Sequence, residues 1–249
     1  IDRLLSIMDE LREKCPWDRK QTLESLRYLT IEEMYELSDA IIQRDLNEIK
    51  KELGDIMLHI VFYSKIGSEL GAFDFADVVN TLCDKLELRH PHVFGDVKVE
   101  NSEDVKNNWE KIKLTEGRKS VLEGVPHSLP AMVKAYRIQE KVSGVGFDWN
   151  NVSEVLEKVK EEIEEFKTEQ QQKNTEAMEE EFGDVLFALI NYARFLNINP
   201  EDALERTNRK FIKRFQYMEN QINKQKKSIS SLDLEQMDVF WEESKKHIK

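Results

Sequence analysis

A duplication constrains this chain more than any other feature. The segment "IEEMYEL" (31–37) returns as "KEEIEEF" (160–166), and "ELGDIMLHIVFY" (52–63) returns as "EFGDVLFALINY" (181–192). Glu32, Glu33, Glu36, Glu52, Gly54, Asp55 and Tyr63 recur as Glu161, Glu162, Glu165, Glu181, Gly183, Asp184 and Tyr192, each pair offset by 129 residues. A shared acidic composition would not hold one offset across so long a stretch, so the chain carries two copies of one supersecondary unit. With small shifts, Lys85 and Arg89 match Lys210 and Arg214, and Trp109 matches Trp241. The copies divide near "VLEGVPHSLP" (121–130), where Gly124, Pro126 and Pro130 interrupt the pattern. The expected domains are residues 1–120 and 121–249.

The repeated segments carry helical, not strand, periodicity. Apolar residues make up 40% of the 249 residues and charged residues 35%, with only 9 Gly and 5 Pro. That balance suits long solvated helices. Helices are expected near 2–14, 22–44, 46–70, 74–89 and 102–115, and again near 130–143, 152–172, 174–197, 200–224 and 233–247. Asn199 before Pro200, with Glu201 and Asp202 following, is a strong start signal. A strand is expected only around "VFGDVKV" (93–99). The fold class is therefore all-α, as two tandem repeated domains.

The acids of these helices do not lie on a solvated face. With each residue turning ~100°, Leu26, Leu29, Leu37 and Ala40 all fall within ~40° of Glu33, and Glu36 lies ~60° away. Val155, Val159 and Phe166 flank Glu162 in the same way. Glu52 and Asp55 share a face, as do Glu181 and Asp184. Asp184 is also followed by six consecutive apolar residues, Val185 to Ile190. A carboxylate entering such a helix is costly unless a positive group meets it.

The gap from Glu36 to Glu52 leaves room for a helix end, a turn and a helix start, so the two acidic faces can meet between antiparallel helices. Two like charges at 4 Å repel by roughly 4 kcal/mol at an effective dielectric of 20. Several such pairs cannot stay ionised together without cations. All-oxygen ligation without His or Cys favours Mg²⁺ or Mn²⁺. An isolated EExxE is usually a solvated helix face; the embedded Asp and the second copy at fixed offset set this one apart.

Other features exclude classes. A net charge of -12 argues against a nucleic-acid-coating protein. Cys15 and Cys83 form no CxxC and no disulfide framework, which fits a reducing, cytoplasmic setting. No apolar stretch reaches ~18 residues, so no membrane span is expected. The first residues show no charged-then-apolar leader pattern. There is no GxxxxGK[ST] loop. A di-iron site needs Glu-x-x-His on two helices, and only Glu87–His90 matches.

At this point the motifs resemble a known family. "CPWDRKQTLESLRYLTIEEMYELSDAI" (15–41) and "RHPHVFGD" (89–96) resemble the opening of the MazG family of nucleoside triphosphate pyrophosphohydrolases, and residues 121–149 resemble its central segment. One departure is Leu23, where the family usually has His. The resemblance implies an all-α homodimer and Mg²⁺-dependent hydrolysis of NTP or dNTP to the monophosphate and pyrophosphate. It implies metal ligands at Glu161, Glu162, Glu165, Glu181 and Asp184, with Glu32, Glu33, Glu36, Glu52 and Asp55 as the other copy's set. It implies substrate contacts at Lys158, Lys210, Arg214 and Trp241, matched in the first copy by Lys85, Arg89 and Trp109.

Such chemistry needs charge neutralisation and an activated water more than a protein nucleophile. Glu162 and Glu165 are the candidates to order that water, and the residues do not choose between them. Lys210 and Arg214 would supply positive charge to the triphosphate, and Trp241 would stack on a base with little preference. The second copy is better equipped, having Lys158 where the first has Leu29, and Asn208 where the first has Cys83. The rival reading is a dimeric helical binding protein with a degenerate nucleotide site, from which pyrophosphate release would distinguish it.

Overall fold

The computed structural model describes residues 1–101, 104, 105, 108, 109, 112 and 120–248. The chain forms two compact units, Ile1–Val105 and Lys106–Lys249. The division at 105/106 precedes the expected boundary at 120/121. The expected helix at 102–115 lies largely outside the described residues.

The first unit contains α1 (Asp2–Lys14), α2 (Leu23–Gln43), α3 (Leu46–Glu69), α4 (Phe75–Arg89) and the single turn α5 (Pro91–Phe94). The second contains α6 (Ala131–Ser143), α7 (Val152–Gln172), α8 (Thr175–Phe195), α9 (Pro200–Lys224) and α10 (Leu234–His247). No strand occurs among the described residues, so the strand expected at 93–99 is not formed. Pro91 instead presets the first turn of α5, and the Val97 N–H donates to the Pro91 carbonyl over 3.3 Å.

Side-chain caps set the helix starts. Thr22, Asp45 and Asp74 in the first unit, and Asn151, Asn174, Asn199 and Asp233 in the second, each accept from a backbone N–H of the turn they open. The ends of α2 and α7 are a matched pair. Arg44 (φ 57°) and Lys173 (φ 58°) both adopt the left-handed conformation, and the next residue, Asp45 or Asn174, is already the cap of the following helix. Two tight antiparallel hairpins result, α2–α3 and α7–α8.

In the first unit Met8, Leu26, Val61, Phe62 and Ile66 form the core, with Leu29 and Tyr63 packed against it. In the second, Val155 and Val159 of α7 and Val185, Ala188 and Ile190 of α8 are buried in the hairpin. Met218, Ile222 and Phe240 join α9 to α10. Lys141 of α6 is 2% exposed and donates to the carbonyl oxygen of Val121 over 2.9 Å, tying the 121–124 segment to the helix. The cysteines are free, Cys15 half-buried and Cys83 exposed. No helix among the described residues is long and apolar enough to cross a membrane.

Candidate active site

The hairpin turn decides which acids face each other. Glu36 and Glu52 lie eight residues on either side of Arg44, and Glu33 and Asp55 lie eleven residues on either side. In α7–α8 the same counts from Lys173 give Glu165 with Glu181 and Glu162 with Asp184. In an antiparallel hairpin, residues equidistant from the turn stand at one height, so both arms bring acids to the same levels.

The carboxylates meet there. Oxygen atoms of Glu33, Glu36 and Glu52 lie within 4.8 Å of one another, and so do those of Glu162, Glu165 and Glu181. Three of the five acids expected in each copy thus form a tight group. Asp55 and Asp184 stand beside it and act on it electrostatically. Burial, then Asp55, Glu36 and Glu52, hold the Glu33 carboxyl above its ordinary range. Burial, then Glu165, Asp184 and Glu162, do the same for Glu181. Burial followed by Glu162 raises Glu165. Glu32 and Glu161 are exposed, and Glu161 receives Lys158 over 2.6 Å.

Among the described residues a lysine stands against each group, supplied from a different helix in the two copies. Lys158 of α7 reaches Glu162 over 2.7 Å, and its ammonium is held charged by its bonds to Glu161 and Glu162. In the first copy that position is Leu29, and Lys51 of α3 instead reaches Glu52 over 3.0 Å. The other oxygen of Glu52, Oε2, is buried without a hydrogen-bond partner, in a residue 3% exposed. An unmet, buried carboxylate oxygen among like charges is what a cation would satisfy. The donor set is all oxygen, so these residues fit a hard divalent ion rather than a soft one.

The basic and aromatic candidates stand on another helix pair. Lys210 and Arg214 lie one turn apart on α9; Arg214 Nε donates to the Ile248 carbonyl over 3.0 Å. Trp241 of α10 is half-buried, with its ring 5.0 Å from that of Phe211 and packed on the Met218–Ile222–Phe240 cluster. In the first unit Lys85 is exposed on α4 and Arg89 half-buried at its end. Trp109, half-buried, falls within the span of the second compact unit, so the structure does not gather it with Lys85 and Arg89 in one unit.

Sequence reasoning passed over two further groups. The buried His59 lies one turn beyond Asp55. Its Nδ1 is 3.0 Å from Thr30 Oγ1, which is 2.7 Å from the Tyr63 hydroxyl. The second copy has Val159 and Ala188 in place of Thr30 and His59, an exchange visible once the copies are aligned. The other group is Gln139, Asn191 and Arg194, which line one cavity: Gln139 of α6 donates to the Phe187 carbonyl of α8, 48 residues away, where no local spacing signals it, and Arg194 donates to Asn191 one turn earlier on α8.

Two helical units, each with a trio of carboxylates between the arms of a hairpin, define a class of all-α protein with a duplicated polycarboxylate site. The family model of the MazG nucleotide pyrophosphohydrolase domain matches the chain twice, over residues 21–94 and 150–218. The chain is 42% identical to the nucleoside triphosphate pyrophosphohydrolase of Escherichia coli K12, over 99% of this chain and 97% of that protein. It is 45% identical to the nucleoside triphosphate pyrophosphohydrolase/pyrophosphatase MazG of Thermotoga maritima, over 98% of this chain and 95% of that one. The crystal structure of a mazG-related protein from Thermotoga maritima aligns with a TM-score of 0.41 at 25% identity, covering 46% of this chain and 99% of that chain. The chain belongs to the MazG nucleotide pyrophosphohydrolase family.

Proposed function

We propose that this protein hydrolyses nucleoside or deoxynucleoside triphosphates of several bases to the monophosphate and pyrophosphate with Mg²⁺ or Mn²⁺, chiefly in the second domain. The domains are taken as residues 1–120 and 121–249. The observation that carries this reading is the carboxylate trio, built twice from the two arms of a hairpin, beside a buried and unmet Glu52 Oε2. The names of the Escherichia coli and Thermotoga maritima relatives, and their near-complete coverage, support the reaction.

In the working site Glu161, Glu162, Glu165, Glu181 and Asp184 are the proposed ligands. A divalent ion held by these residues would supply neutralisation of phosphate charge and lower the pKa of the attacking water. Glu162 or Glu165 is the proposed acceptor of a proton from the attacking water. Lys158 is paired with Glu161 and Glu162 and is a further proposed substrate contact. Lys210, Arg214 and Trp241 are the proposed contacts for the remainder of the nucleotide. The corresponding set Glu32, Glu33, Glu36, Glu52 and Asp55, with Lys85 and Arg89, is the proposed second, weaker site; Trp109, in the span of the other compact unit, is not part of it.

The protein acts as a cytoplasmic homodimer without nucleic-acid or membrane partners. Supporting the dimer, Leu53, Met57 and Ile60 of α3, and Phe182, Leu186 and Leu189 of α8, are more than a third exposed on helices that carry the site. Pyrophosphate and monophosphate measured across a nucleotide panel, with Mg²⁺ and with EDTA, test the proposal. Nucleotide binding without pyrophosphate release would instead favour a binding protein.

A further inference from the structure

Arg214, a proposed nucleotide contact on α9, is held by the end of the neighbouring helix. Its Nε donates over 3.0 Å to the carbonyl of Ile248, which caps α10. That bond uses one of the five guanidinium donors and fixes the plane of the group. It does not consume the four Nη–H donors, whose paired edge suits a phosphate. The Ile248 carbonyl is itself placed by α10. The Ile248 N–H donates to the Ser244 carbonyl over 2.8 Å, and the fully buried Ser244 donates through Oγ to the Trp241 carbonyl over 2.6 Å. Two turns of α10 therefore connect Trp241 with Arg214.

Helix ends fray, because their last carbonyls have no partner within the helix. The end of α10 is pinned from α9. Tyr217 follows Arg214 by three residues, so the two are neighbours on the surface of α9. The Tyr217 hydroxyl donates to Glu243 over 3.0 Å. Its ring stacks on that of His247, with centroids 5.1 Å apart and planes 24° apart. Glu243 and His247 are four residues apart on α10, so one tyrosine touches both levels of the last turn. Arg214 then closes on the carbonyl just beyond that turn.

From this we infer that Tyr217 is a positioning residue for the triphosphate: by pinning the last turn of α10 it keeps the Ile248 carbonyl on Arg214 Nε, and so keeps the Nη edge of Arg214 in one orientation. A long, flexible side chain is then ordered by the fold and not at the moment of binding, which strengthens binding without a new contact. An arginine that only capped α10 would be a stability device. Tyr217 and Arg214 would in that case change melting and leave nucleotide binding alone. The inference rests on the reading of Arg214 as a triphosphate contact and adds to it the residue that sets its pose.

Binding and turnover of the full chain test it. Adenosine 5′-(α,β-methylene)triphosphate, which lacks the bond cut on pyrophosphate release, reports binding in MgCl₂ by calorimetry, and ATP reports kcat and KM. Tyr217→Phe removes the bond to Glu243 and keeps the ring; Tyr217→Ala removes both contacts. Tyr217→Phe should weaken analogue binding and raise KM by about threefold to fivefold, the scale of one hydrogen bond, with kcat within about twofold. Tyr217→Ala should exceed that loss; if melts show that it does not fold, the Phe variant decides. Arg214→Gln should weaken binding by about tenfold or more. Adding Tyr217→Phe to it should cost nothing further, because a positioning residue acts only through the group it positions. The inference is overturned if Tyr217→Phe leaves binding unchanged, or if its loss is undiminished in the Arg214→Gln background. It is overturned equally if Tyr217→Phe tightens binding, which would make the Ile248 carbonyl a competitor of phosphate, if Arg214→Gln binds the analogue normally, or if the analogue does not bind at all. The expected cycle in a protein that releases no pyrophosphate would retain the positioning of Arg214 and remove the hydrolase reading.

Discussion

Lys158 contacts Glu162 over 2.7 Å from one turn earlier on the same helix, whereas Leu29, at the matching place in the first repeat, packs into the core. One repeat therefore neutralises its buried glutamate from α7, and the other uses Lys51 on α3. Lys158→Met should leave Glu162 without its cation. The metal-free protein should lose about 1 kcal/mol, a value discounted because the lysine is partly exposed. Mg²⁺ should restore most of that loss, while kcat/KM stays at least tenfold low through the missing substrate contact. Melts in EDTA and in MgCl₂ beside steady-state kinetics check this; unchanged values in both would remove Lys158 from the site.

The two repeats should differ in turnover. Asp184→Asn should cut pyrophosphate release by about two orders of magnitude by removing a ligand charge, while Asp55→Asn keeps most of it. Both variants should stay folded, because each change is nearly isosteric and lowers carboxylate repulsion. A reversed pattern reassigns the working site to the first domain. Full activity in both means the carboxylates are not catalytic.

The acid groups also set a pH dependence. Glu33, Glu165 and Glu181 are held above their ordinary range by burial and by neighbouring acids. A carboxyl raised on folding contributes stability that is present below its unfolded pKa and is lost as pH rises through the folded one. Without metal, this contribution favours pH values near or below the ordinary carboxylate range. Bound Mg²⁺ replaces the proton as the compensating charge. The rise in Tm on adding MgCl₂ should thus be larger at pH 8 than at pH 5, and equal rises by scanning calorimetry would count against the coupled-acid account.

Metal identity should matter. Mg²⁺ and Mn²⁺ should support turnover and Ca²⁺ poorly, because a compact all-carboxylate site between two fixed helices suits octahedral ions better than a larger, irregularly coordinated one. Undiminished turnover in excess EDTA after thorough metal removal would end the proposed mechanism.

Trp241 carries a structural load through Phe211 and the Met218–Ile222–Phe240 cluster. Trp241→Ala should cost about 2–4 kcal/mol of stability, whereas Trp241→Phe should keep the fold. A raised KM in the folded Phe variant would place the indole against substrate; unchanged kinetics would leave it as packing alone.

How much of this was readable before the fold follows from the range of each interaction. The helix start at Asn199–Pro200 was readable because a cap bonds within three residues of itself. The acids of α2 and α7 were readable because helical rotation alone places Glu33 and Glu162 on the apolar stripe. Leu26, Val155 and Val159 are indeed buried beside them. The strand expected around 93–99 is not formed, its first residues closing the helical turn Pro91–Phe94, since a short β-like run does not reveal whether a neighbouring strand exists to pair with it.

Other facts depend on how helices are rotated and spaced against one another. Glu181 joins Glu162 and Glu165 while Asp184 stays at the margin. Lys51 spends its charge on Glu52. Gln139 binds the Phe187 carbonyl from 48 residues away, and Phe62 is buried in the core of one repeat where the other has Asn191 on a cavity wall. No local periodicity encodes these contacts, because each depends on two side chains whose separation is set by the packing of whole helices.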